Sequence, residues 1–189
     1  MTAALISGPA MEPVSLADAK AHLRVDGTAE DELIAAAIVA ARTHVESETR
    51  RKLIAQSWRV YLDEWPSGRA IELPILPLIS VESVTLYDIV GAAHVLDADD
   101  YRVDVARQPP RIVAKLKPAV ALYDNGIEID VTAGYGVTSL AVPAPLRHAV
   151  MMLVSHWFEH RGAVGFDQAG DVAPLGFEAL VAPYRVRSL

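Results

Sequence analysis

Thr132-Ala-Gly-Tyr-Gly136, a five-residue spacer and then Val142-Pro-Ala-Pro-Leu-Arg-His148 mark where this chain stops reading as strand and starts reading as helix. Glycines flanking a tyrosine suit a tight turn that lets a last strand leave its sheet. Proline is tolerated in the first turn of a helix, so the helix opens at Pro143 or Pro145. From there Leu146, Val150, Leu153, Val154, Trp157 and Phe158 fall on one face. Such a stripe predicts a buried helix of about 25 Å, Leu146–His160.

Upstream of the turn the pattern has period two. Trp58–Asp63 and Ala70–Leu73 alternate, and Val81–Tyr87 is rich in strand formers. Further short strands are expected near His94–Leu96, Tyr101–Val103, Arg111–Ala114 and Gly126–Thr132. Turns at Pro66-Ser-Gly, Pro74/Pro77, Val90-Gly and Asn125-Gly separate them. Six or seven strands in about 75 residues read as a small antiparallel sheet or barrel.

Before residue 56 the chain reads as helix again. Residues 1–12 look like a loose leader. Ser15 is a credible N-cap, with Asp18 three residues on, for a helix Leu16–Val25 that Asp26-Gly27 breaks. Thr28 caps a longer helix, Ala29–Leu53. Acids Glu30, Asp31 and Glu32 lie in its first turn and the Arg50-Arg51-Lys52 triplet in its last, the order a helix dipole favours. Leu33, Ala37, Ala40, Ala41, Val45 and Thr49 make a small-residue stripe that another helix can approach closely. A glycine-rich loop at 162–170 precedes a short helix Leu175–Val181 and an apolar, arginine-bearing end. The expected fold is therefore α+β: a helical core from both chain ends with a small antiparallel β-rich insertion. Residues 1–55 and 141–189 form the core, and 56–140 the insertion.

Composition narrows the function. The 189 residues are 52% hydrophobic and 22% charged, ordinary for a globular chain with a real core. There is no cysteine, which excludes disulfides, thiolate metal sites and cysteine nucleophiles. No apolar run approaches the roughly 18–20 residues that span a bilayer, and the N-terminal residues lack the features of an export signal. The formal charge is −7, with residues 56–140 the most acidic part at 12 acids to 7 bases. A duplex-DNA binder needs a basic face, and the sequence offers none. The basic triplet at 50–52 reads as dipole and solubility charge.

His156-Trp-Phe-Glu159-His160 matches the inverted zinc-protease motif, His-x-x-Glu-His. Histidines four apart share a helix face, but a catalytic zinc takes three protein ligands. The only glutamate downstream is Glu178, inside a short terminal helix. A helix end whose histidines face solvent or meet terminal carbonyls is the better account of the match. No phosphate-binding glycine loop and no nucleophile elbow occur. The acid pairs Asp63-Glu64 and Asp99-Asp100 sit in expected turns. Catalytic residues, metal and cofactors are accordingly expected to be none.

Several ordered segments together resemble the head–tail connector, or head-completion adaptor, family of tailed phages and gene transfer agents. They are Pro13-Val-Ser-Leu-Ala-Asp-Ala-Lys-Ala-His-Leu-Arg-Val25, Asp31-Glu-Leu-Ile-Ala-Ala-Ala-Ile-Val-Ala-Ala-Arg42, and Ile71-Glu-Leu-Pro74 with Ile79-Ser-Val-Glu-Ser-Val84. The Thr132–Gly136 turn, Val142–Ala149, His156–Glu159 and the closing Leu175–Val186 complete the set. The resemblance implies a non-enzymatic protein forming a ring, typically dodecameric, beneath the portal. It would form part of the DNA conduit in the neck of a phage or gene-transfer-agent particle, after synthesis in the bacterial cytoplasm. Its partners would be copies of itself, the portal and a stopper or tail-terminator protein, with DNA passing unread and no membrane involved. The portal-binding residues it implies are Pro183, Tyr184, Arg185, Val186, Arg187, Ser188 and Leu189. The contrasting alternative is a zinc-dependent hydrolase built on His156, Glu159 and His160.

Overall fold

The computed structural model describes residues 1–119, 122, 124–160 and 174–186. These residues form α-helices and two antiparallel sheets, the expected α+β class. They divide into a β-rich unit, residues 1–9 and 55–134, and a helical unit, residues 10–54 and 135–189.

In the β-rich unit a five-stranded sheet runs in the order β1 (Thr2–Ser7), β2 (Gln56–Leu62), β8 (Ile127–Ala133), β4 (Leu78–Tyr87) and β5 (Ala93–Val95). A second sheet has the order β3 (Ala70–Glu72), β7 (Arg111–Ala114), β6 (Tyr101–Asp104). The alternation that predicted β8 is a burial pattern: Ile127, Ile129, Val131 and Ala133 are buried, while Glu128, Asp130 and Thr132 face the other way. The buried residues join Val60, Trp65, Ile71, Leu73 and Ile112 in one core.

On the opposite face Arg59 lies directly across from Asp130. It grips that carboxylate with two hydrogen bonds of 2.6 and 2.8 Å and reaches Glu128 at 3.1 Å. The Tyr87 hydroxyl donates to Glu128 at 2.9 Å. Arg59 holds the Asp130 carboxyl below its usual range.

Residues 2–7 are not a loose leader. They pair antiparallel with β2, Thr2 opposite Tyr61 and Leu5 opposite Trp58. Alternation between polar and apolar residues is absent from Thr-Ala-Ala-Leu-Ile-Ser, so the strand left no period to read.

The helical unit contains α1 (Leu16–Leu23), α2 (Asp31–Thr49), α3 (Ala144–Glu159) and α4 (Phe177–Val181). Ser15 caps α1 as expected, accepting the Asp18 amide at 3.0 Å. Thr28 does not cap α2. Its carbonyl accepts the Asp31 amide in a turn, and Glu30 stands at the N-cap position with no capping bond from its side chain to the helix amides. Lys20 ties this turn together, bonding the Gly27 carbonyl and Asp31.

The small-residue stripe of α2 is half right. Ala41, Val45 and Thr49 are buried, but the N-terminal half buries Ile34 and Ile38 instead, leaving Leu33 44% exposed. The larger β-branched side chains return more free energy on burial and take the core-facing positions. The stripe of α3 holds as read for Leu146, Val150, Leu153 and Val154, with Trp157 and Phe158 half-buried against the same core. The glycine-rich loop at 162–170 lies outside the described residues.

Candidate interaction site around the C-terminal segment

The end of α2 organises this site. Arg50 leaves the helix in a left-handed conformation, φ 55°. The turn that follows is held from below by Glu46, only 5% exposed. Its carboxylate accepts the Leu53 amide at 2.9 Å and faces Arg42 at 3.4 Å and Lys52 at 3.9 Å. Burial pushes the Lys52 amine down, with Glu46 acting against that shift. Arg42 also bonds Glu12 at 2.7 Å, tying the segment before α1 to α2.

The C-terminal segment seats on this helix end. Phe177 and Val181 of α4 are buried in the helical core, and His44 lies against both Phe177 and Trp157 at ring separations of 5.7 and 6.1 Å. Residues Ala182–Tyr184 make a 3-10 turn, with Pro183 exposed and Tyr184 half-buried. Arg51 donates its Nε–H to the Tyr184 carbonyl at 2.7 Å. The Val186 amide donates to the Thr49 carbonyl at 3.2 Å, satisfying an acceptor that α2 leaves open at its end. Arg185 makes a two-pronged contact with Glu178, at 2.8 and 3.0 Å, and also bonds Glu48.

Tyr135, from the glycine-flanked turn, belongs to the same cluster. Its amide donates to the Leu53 carbonyl at 3.1 Å. Burial pushes its hydroxyl pKa up, and the Arg51 guanidinium beside it pulls the other way. One arginine thus serves both the turn that opens α3 and the segment that ends the chain.

Of the seven residues expected to bind the portal, Pro183, Tyr184, Arg185 and Val186 are described and stand at this helix end. Arg187, Ser188 and Leu189 lie outside the described residues. The sequence did not single out their anchors, Glu46, Glu48, Thr49 and Arg51 as a contact. The triplet containing Arg51 read as solvated charge, because a contact 133 positions apart leaves no local signature.

A second surface lies on the solvent side of α2. Leu33 and Val39 are each 44% exposed, and Ala35, Ala36 and Ala40 are exposed too. Beside them a groove of about 330 Å³ is lined by Met11, Val14, Leu16, Ala35, Ile38 and Val39.

The histidine motif resolves as a helix end. His160 is the C-cap residue of α3, and its Nδ1 lies 2.8 Å from the His156 carbonyl oxygen. Among the described residues no three His, Asp or Glu side chains converge as metal ligands would. No described helix is long and apolar enough to cross a membrane.

The family model of phage gp6-like head-tail connector proteins matches residues 13–88. A chain in the neck of an empty GTA particle computed with C6 symmetry superimposes with a TM-score of 0.83 at 30% identity, covering 100% of this chain and 98% of that one. The chain belongs to the head–tail connector family. A chain in the virion of a native gene transfer agent (GTA) particle gives 0.83 at 29% identity, and one in the neck of a native GTA particle computed with C12 symmetry gives 0.76 at 30%. Both comparisons cover 100% of this connector and 98% of the other chain. No curated protein matches the connector. Its role is structural, and the zinc-hydrolase alternative on His156, Glu159 and His160 is overturned by this membership together with the helix-end geometry of the motif.

Proposed function

We propose that this connector forms a closed ring, dodecameric, in the neck of a phage or gene-transfer-agent particle, between the portal and a stopper or tail-terminator protein, and that it has no catalytic activity. The observation that carries the reading is the full-length likeness, at 30% identity, to chains of particle necks solved with C6 and C12 symmetry. A sixfold axis is contained in a twelvefold one, so both symmetries suit a ring of twelve.

Rings need head-to-tail contacts between two different surfaces of one chain. The exposed apolar side of α2 and its groove supply one of them. In this reading the helical parts, within residues 1–55 and 141–189, build the ring. Pro183–Leu189 reaches the portal from a root fixed on α2 by Arg51 and Arg185. The β-rich part, within residues 56–140, serves the tail side. A net charge of −7 suits a conduit wall that does not grip passing phosphates.

Co-sedimentation with the portal of the same locus tests the reading. The full chain is expected to bind as a ring, and a chain truncated after Ala182 is expected to lose the portal while keeping its helical fold by circular dichroism. Equal binding by both chains would remove the C-terminal segment from the contact.

A further inference from the structure

The two margins of the five-stranded sheet are unlike each other. Among the described residues β1 has a strand on one side only. Its Thr2–Leu5 stretch pairs in regular register with β2, and the single irregularity comes after Leu5. Among the described residues that irregularity alone blunts its outer edge: the chain carries no charged side chain before Glu12 and no proline before Pro9. Leu5 and Ile6 are 51% and 57% exposed. Natural sheets blunt such edges with lysine, proline, bulges or brevity, because bare amides and carbonyls recruit another strand. Six uncharged residues spanning about 20 Å are the template that such protection exists to avoid.

The opposite margin is open in a different way. β5 covers β4 only from Thr85 to Tyr87, with one further bond from the Leu96 amide to Val84. Leu78–Ser83 pairs with β8 on one side and has no described strand on the other. This open run matches β1 in length, six residues against six. Its register with β8 shifts at Leu78/Ser80 and Val81/Ser83, and the charge of Glu82 guards it against a second β4, which would bring a like charge. An uncharged strand meets no like charge there.

We propose that in the assembled ring β1 of one copy extends the five-stranded sheet of the next, lying along the open Leu78–Ser83 edge of its β4. The proposal rests on the ring reading above. Pairing β1 with β1 would be isologous and would close at two copies, whereas a cyclic ring requires two different edges. Opposite margins of one sheet meet that requirement, and strand addition supplies main-chain hydrogen bonds at every contact around the ring.

The absence of native cysteine makes the test clean. Paired substitutions, Thr2→Cys through Leu5→Cys each combined with Ile79→Cys through Glu82→Cys, are assembled on the portal and oxidised. One register is expected to give a ladder of covalent multimers in rings and none in the dilute single chain, since a disulfide needs Cα atoms about 5.5 Å apart. In the wild-type ring, amide exchange at Thr2–Leu5 and Leu78–Ser83 should slow at least about tenfold relative to the single chain. Wild-type rings with unchanged exchange in both segments and no ladder from any pair would overturn the pairing and leave the ring reading standing. A wild-type chain that forms no ring with its portal would overturn both.

Discussion

Gly136 has room for a hydrogen and nothing larger, since a Cβ built there lies 2.6 Å from the Cβ of Ala141. Gly136→Ala is therefore expected to lose about 1–3 kcal/mol in urea unfolding, the ordinary cost of overpacking. Adding Ala141→Gly should restore most of it. No recovery in the double variant would place the strain elsewhere. Glu46 offers a second test, because its buried carboxylate accepts the Leu53 amide and faces two cations. Glu46→Ala leaves these groups without that carboxylate and should cost about 1–3 kcal/mol. The place where the chain leaves the sheet was legible from the glycines of 132–136, but the close approach of Gly136 to Ala141 was not. Glu46 was not, because a glutamate near a helix end ordinarily means a solvated one, and its burial depends on the turn that folds back over it.

Pairs of elements are where charge becomes visible as stability. The Arg59–Asp130 bridge joins β2 to β8 on the half-buried face of the sheet, opposite the Val60 and Ile129 core. Asp130 has a folded pKa below its unfolded value of about 3.9. Its contribution is thus present in full above that value and lost as pH falls through the folded pKa. The urea midpoint of wild type minus that of Asp130→Asn should be constant between pH 5 and 7 and shrink below about pH 4. A difference independent of pH would deny the bridge a role. At the junction of α2 with the C-terminal segment, Arg51→Ala removes the bond to the Tyr184 carbonyl. Faster amide exchange at Arg185 and Val186, with α3 unchanged, is the expected result. Strands β2 to β8 were legible because alternation, β-branched residues and turn residues agreed with one another. β1 was missed because none of its residues is fully buried on either face, so no alternation is imposed on it. The start of α2 was misplaced because Thr28, an ordinary capping residue, instead serves a turn closed by Lys20.

For the whole molecule, the α+β class and the connector family were readable from ordered short motifs, each weak by itself. What no local pattern carries is the seat of the C-terminal segment on α2, built from contacts more than a hundred positions apart. The five-residue histidine match shows the opposite error, a local pattern with no tertiary support: His160 closes a helix and bonds back onto it. The central claim is that this chain is a ring-forming connector of a particle neck. Electron cryo-microscopy of the portal assembled with the wild-type chain tests it most directly. The account predicts a closed twelvefold ring of this chain on the portal's tail-side face. A portal carrying no such ring, with the chain left free in solution, would contradict it.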